Sequence, residues 1–244
     1  MLADAETSGL LLPPLFEAVA AQRPETVFDE ACRVASQDGA GALVHAKSES
    51  QLALAVTFEP DRPLRQARFI FFAGMAALGD ALAAHCPPER GIRFRWPDSI
   101  VYDGALLGGG WLAASPVSVP EETPDWMVFG AQLIAARPGL VDTGQYPGSI
   151  SLQEEEITET KGVLESFARH LMRYVDAWQN EGAGAITKPY LERLVAATDH
   201  EQTIDGHGDL LERDAPSAAP TRQSLLGGLD ARIWFDPLRE GPKW

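Results

Sequence analysis

Apolar positions along the chain recur at two periods, and the switches between them predict the elements. Over residues 26–37 (TVFDEACRVASQ), Val27, Ala31 and Val34 share one helical face with charges opposite, and Asp38-Gly39 ends the run. Residues 42–46 (ALVHA) and 52–58 (LALAVTF) are apolar, partly β-branched runs either side of the polar KSESQ, which predicts a hairpin closed by Pro60 and Pro63. From about Leu64 to His85, Phe71, Met75, Leu78 and Leu82 recur at three and four among many alanines, so a long helix is expected before Pro87-Pro88. Residues 92–114 alternate around Asp103-Gly104, a dipeptide favoured in tight turns, and predict two paired strands.

After a Pro-rich loop, residues 126–136 (WMVFGAQLIAA) read as a central strand. Leu164, Phe167, Leu171, Tyr174, Val175 and Trp178 then mark one stripe of a helix over 161–179, and a shorter helix is expected over 188–197. From Asp199 on, Gly, Pro, Asp and Ser mix with brief apolar runs such as LLGGLDARIWF (225–235), the texture of a small β appendage. No repeat at a fixed period is visible.

At 244 residues and 45% hydrophobic, the chain can bury a core of its own. Its net charge of -15 repels phosphate backbones and anionic membrane surfaces, so neither nucleic acid nor membrane is expected as a partner. The two cysteines, Cys32 and Cys86, have no metal or disulfide spacing, and the opening MLADAETSGLLLPPL lacks the basic start of a signal peptide, so a cytoplasmic location is expected.

Several stretches resemble segments of one family. RWPDSIVYDGALLGGGWL (95–112) resembles a signature that runs Lys-Trp-Pro-Asn-Asp, a turn, then Lys-Leu-Ala-Gly-Ile. GAGALVH (39–45) is similar to a Gly-Gly-Gly-Ala-Val-Phe-His stretch, and GSISLQEEEI (148–157) to a segment where a Thr-Ser-Leu run leads into a helix. KPYLERLVAATDH (188–200) resembles a junction between a catalytic domain and a small carboxy-terminal β domain. With the order of elements, the likeness runs from Glu25 onward, and on these residues the chain is identified as a member of the biotin and lipoate protein ligase superfamily, in a divergent ligase-like branch.

The resemblance implies an α+β fold: a mixed, mostly antiparallel sheet with helices, as in class II synthetases and biotin ligases, over residues 13–198, with a small β-rich appendage over 199–244. Such proteins join a carboxylate to ATP and pass the acyl adenylate to a lysine of a carrier. The implied partners are therefore biotin, lipoate or a medium-chain acyl group, and a carrier protein, with ATP as cofactor if that activity is retained.

The same comparison exposes losses. The family lysine on the strand after the Trp-Pro hairpin falls at Leu106, beside Ala105, and HAKSES (45–50) stands where biotin ligases have an Arg-Gly-rich loop. The Asn-Asp pair after Trp-Pro becomes Asp98-Ser99, and an asparagine expected beyond Gly130 falls near Ile134. Losing one preorganised charge contact commonly costs about 3 kcal/mol of transition-state stabilisation. Two functions stay open: a ligase or acyltransferase-like enzyme, and a pseudoenzyme that binds the small molecule without turnover. Related octanoyltransferases use, in some cases, a cysteine thiolate, and Cys32 and Cys86 both fall on expected helices.

Among the other lysines (Lys47, Lys161, Lys188, Lys243), Lys47 alone lies near the ligand loop and is the catalytic candidate, against a solvated hairpin residue. Ligand-binding candidates are His45, against a solvated hairpin residue; Trp96, against core packing; Asp98, against a turn cap; Gly108, Gly109 and Gly110, where a backbone can approach a ligand, against a β-bulge; and Gly130. Glu154, Glu155 and Glu156 read as the charged first turn of a helix, and the spacing of Asp199, His200, Asp205, His207 and Asp209 fits no standard metal site, so no metal is expected.

Overall fold

The computed structural model describes residues 9–87, 91–142, 144, 146–195, 201–214 and 219–244. β1 (Glu17–Ala20), too short and too exposed to show a period, leads to α1 (Val27–Asp38), which turns Val27, Ala31, Val34 and Ala35 inward. Gly39, at φ 85°, takes the chain out of the helix in the left-handed region that favours glycine. β2 (Ala42–Lys47) and β3 (Gln51–Phe58) form the expected hairpin.

The next apolar run makes two helices where one was expected, α2 (Leu64–Ala67) and α3 (Ile70–Ala83). At the break the amides of Phe69, Phe71 and Phe72 bond to carbonyls three residues back, the tighter winding that redirects a helix. α3 is buried almost all round, so its apolar content serves a helix enclosed by others and not a single stripe. Cys86, expected on this helix, lies beyond its end.

Residues 92–114 form three strands, one more than expected: β4 (Ile92–Arg95), β5 (Ser99–Tyr102) and β6 (Ala105–Ala114). The Trp96-Pro97-Asp98 turn divides the first run, because proline cannot continue a paired strand, and Asp103-Gly104, both at positive φ, makes the second turn. β7 (Met127–Ile134) is the central strand of a seven-stranded sheet in the order β1-β2-β3-β7-β6-β5-β4, parallel only at β1-β2.

α4 (Thr160–Glu181) and α5 (Gly184–Arg193) pack with α3 on one face of the sheet, and α1 covers β2, β3 and β7 on the other. α5 begins ahead of the expected Lys188, and the expected stretch beyond Val195 lies outside the described residues, with Asp199, His200 and the 198/199 boundary. The three glutamates do not open a helix: residues 152–156 form turns, and α4 starts at Thr160.

Beyond these come a three-stranded antiparallel sheet of β8 (Glu201–Ile204), β9 (Leu210–Arg213) and β10 (Thr221–Gln223), then α6 (Leu225–Ala231), β11 (Phe235–Asp236) and β12 (Gly241–Pro242). The helix corrects the expected β run over 225–235. Ser224 caps it by accepting from the Gly227 amide at 3.2 Å, and Gly228 fits because an added Cβ would lie 2.5 Å from Pro97. Among the described residues no helix is long and apolar enough to cross a membrane, and no cluster of three metal-ligating side chains occurs.

Candidate functional site

The Trp-Pro turn and the glycine-rich strand lie side by side. β5 pairs with β6 with Ser99 opposite Gly109 and Ile100 opposite Gly108, and the register shifts at Ile100/Val101, leaving Leu107 as the extra residue of a bulge. The Gly110 amide donates to the Asp98 carbonyl at 2.8 Å, tying the turn to the strand.

Each glycine is small for a different reason. A Cβ at Gly110 would sit 2.7 Å from the Met75 sulfur, on the face covered by α3; one at Gly108 would meet the Gln132 carbonyl at 2.1 Å, and one at Gly130 would meet Phe28 of α1 at 2.6 Å. At Gly109 the neighbour is the Trp234 indole, 2.3 Å from where a Cβ would be. The slot that glycine opens in β6 is therefore filled by the chain's own carboxy-terminal segment.

Trp234 is 1% exposed. Its ring lies 5.3 Å from that of Trp111, which in turn packs edge-on to Phe28 at 4.9 Å and to Phe235 at 5.5 Å. Trp234 Nε1 donates to Asp98 Oδ2 at 3.0 Å, and Asp98 Oδ1 accepts from the Ser99 hydroxyl at 3.3 Å. Burial pushes the Asp98 carboxyl up to about 7; hydrogen bonds from Trp234 and Ser99 and the nearby Arg232 charge only partly oppose this.

Farther along this face, Gln132 of β7 donates to Gln51 Oε1 at 2.5 Å and to the Glu240 carbonyl at 3.1 Å, while Gln51 donates to the Arg239 carbonyl at 3.2 Å. The two amides thus hold the backbone of residues 239–240 over the sheet. A lone glutamine inside the apolar run 127–134 was the sequence signal for this contact. Trp234 carried no such signal, since nothing in IWF marks a ring that folds back across the sheet.

The remaining candidates are dispersed. Trp96 stacks on Phe72 at 6.2 Å and meets Tyr190 edge-on, with its Nε1 buried and unpartnered. His45 faces the same way as Leu54, on the α3 and α4 side; its Nε2 is buried without a partner, and burial lowers its pKa. Lys47, exposed at the end of β2, lines a separate cleft of about 260 Å³ with Glu49, Gln153, Thr158 and Thr160. His45 and Lys47 are thus separated from Asp98 and Gly109 by β3 and β7.

Near Leu106, the position where the family lysine was expected, lies Arg137. Leu106 bridges to Ser149, and Arg137 donates to Ser149 Oγ at 3.1 Å and to the Tyr146 carbonyl at 3.2 Å. Its other two bonds form a fork on Glu154, one from Nε at 2.9 Å and one from the terminal nitrogen, and the guanidinium side chain is only 3% exposed. Burial alone would raise the Glu154 carboxyl, but the bonds from Arg137 and Ser151 outweigh it and hold the group below its usual range. Burial pushes both cysteine thiols up to about 11, with Asp29 adding to the effect at Cys32 and Glu155 at Cys86, where a hydrogen bond from Tyr102 opposes it.

A model of the biotin/lipoate A/B protein ligase family matches residues 12–192. A biotin protein ligase-like protein of unknown function from Silicibacter sp. TM1040 superposes with a TM-score of 0.76 at 25% identity, covering 90% of this chain and 99% of that one. A mutant biotin protein ligase from Aquifex aeolicus in complex with biotin gives 0.60 at 10% identity, over 85% and 95% of the two chains. The Aquifex aeolicus ligase in complex with biotin and ATP gives 0.54 at 11% identity, over 85% and 97%. At these identities the two Aquifex structures establish the shared fold alone. No curated protein sequence matches the chain.

Proposed function

Because the chain belongs to the biotin/lipoate A/B protein ligase family, we propose that it binds a small carboxylate of the biotin, lipoate or medium-chain acyl type against β6 without activating it with ATP. The observation that carries this reading is the state of Arg137. A strand that must bring a carboxylate and a triphosphate together needs a free cation, and β6 has Leu106 there with no lysine or arginine of its own. The guanidinium that comes close through Ser149 already spends four bonds on Glu154, Ser149 and Tyr146. Both thiols, held protonated at neutral pH, are poorly suited to the cysteine route of acyl transfer.

What the wall retains suits binding. Gly109 lets a flat apolar group lie on the backbone against the Trp111 ring, as the Trp234 indole does, and apolar contact contributes about 0.8 kcal/mol per buried methylene. Asp98, with its carboxyl raised to about 7, accepts a ligand N–H, or donates a proton to a ligand carboxylate when protonated. His45, Trp96, Gly108, Gly110 and Gly130 shape the surrounding fold in this reading, and Lys47 is a bystander.

Thermal unfolding with biotin, lipoate and octanoate, paired with a pyrophosphate-release assay with ATP, tests the proposal. One of the three ligands should raise the midpoint, by an amount equivalent to about 2.7 kcal/mol at a hundredfold excess over Kd, with no pyrophosphate released. No stabilisation by any of them removes the binding reading. Pyrophosphate release lost in Lys47→Ala favours instead the enzyme reading, with Lys47 as the cation and a carrier protein as acceptor.

A further inference from the structure

We infer that residues 232–244 form a detachable strap that occupies the small-molecule site as a built-in competitor, so that a ligand enters only when the strap lifts. The inference rests on the binding reading above for what enters. The strap itself is argued from its contacts.

Those contacts are the ones a ligand would make. A flat ring lies in the slot opened by Gly109, with one face toward Trp111, and its N–H reaches the buried Asp98 carboxylate. Farther on, Gln51 and Gln132 grip two backbone carbonyls, which any ligand oxygen could replace. Gly241 lies so close that an added Cβ would be 2.3 Å from Gln51 Nε2.

The strap is held at few points. Of its residues only Trp234, Gly241 and Pro242 are buried, and Leu238 at its tip is 96% exposed. Its internal structure is a hairpin of two residue pairs, β11 with β12, closed by the Lys243 amide on the Trp234 carbonyl at 2.9 Å. A hairpin this short has little stability of its own. It leaves α6 at Arg232, the helix's left-handed C-cap at φ 42°. Regions with few buried apolar contacts and exposed backbone bonds open locally, without unfolding the whole domain.

Amide hydrogen exchange on the full chain tests detachment, and biotin binding tests competition. The amides of Phe235 and Lys243 should exchange roughly a hundredfold or more faster than those of β7. Trp234→Ala, which vacates the slot, should bind biotin roughly tenfold or more tighter than the wild type, because the closed fraction no longer taxes affinity. Gly241→Val keeps the indole but displaces the Gln51 amide that holds the Arg239 carbonyl, loosening the strap, and should shift affinity the same way. Exchange of strap and β7 amides at one common rate would make the segment a fixed part of the core and overturn the inference. So would equal biotin affinity in the wild type and both variants. Independent exchange with no binding of biotin, lipoate or octanoate by any of the three proteins upholds detachment and refutes the binding reading instead.

Discussion

Asp98→Asn should remove a pH dependence of stability that the wild type carries. In the folded protein burial pushes this carboxyl up to about 7, against 3.8 ordinarily. Between those values the unfolded chain has lost the proton while the folded chain keeps it, so unfolding releases a proton and stability falls as pH rises. The slope is about 1.4 kcal/mol per pH unit, or about 4 kcal/mol across the whole window, levelling above about pH 7. Asparagine retains an oxygen to accept from Trp234 and has no charge to bury, so the variant lacks this term. With a sequence pI near 4.7, the usable range starts about a unit higher. Urea unfolding followed by tryptophan fluorescence at pH 5.5, 6.25, 7 and 8 should therefore show the variant gaining on the wild type by about 2 kcal/mol between 5.5 and 7, then a plateau. A difference between the two proteins that stays constant within about 0.5 kcal/mol over the range would refute the reasoning, since it would mean that Asp98 titrates alike in both states.

Arg137→Ala should cost about 2–3 kcal/mol in urea unfolding, because it strips the fork from Glu154 and leaves the Tyr146 carbonyl and Ser149 hydroxyl without their donor. A loss under about 0.5 kcal/mol would show that the turn from 146 to 154 does not depend on the pair. Tyr190→Phe should cost about 1–2 kcal/mol by the same measurement, because the hydroxyl donates at 2.7 Å to the Pro97 carbonyl in a fully buried setting. Unchanged stability there would mean that the Trp-Pro turn does not rely on α5.

Much of the fold was legible because its signals are local. The period of α1, the apolar runs of β2 and β3, and the Asp103-Gly104 turn each follow from neighbours within one element. The misreadings have a common cause in partners distant along the chain. Glu154 to Glu156 look like the start of a helix, yet Glu154 answers Arg137, seventeen positions earlier. Residues 225–231 contain paired glycines that weaken a helix, yet they form one, capped by Ser224 and buried at Leu225 and Leu229, with Gly228 small because it passes Pro97. The seam between the Trp-Pro turn and the glycine-rich strand was readable in the sequence. What lies against it was not, because Trp234 is 136 positions from Asp98 and no pattern in between announces the contact.

The two protonated thiols have a practical reach beyond acyl transfer. Held near 11 by burial, each carries roughly a hundredfold less thiolate at neutral pH than an unhindered cysteine, and maleimide reacts with thiolate. The chain is thus a dark background for site-directed dyes. A single cysteine placed at Leu238, out in solvent, would take up the fluorophore first and report directly on the position of the tail.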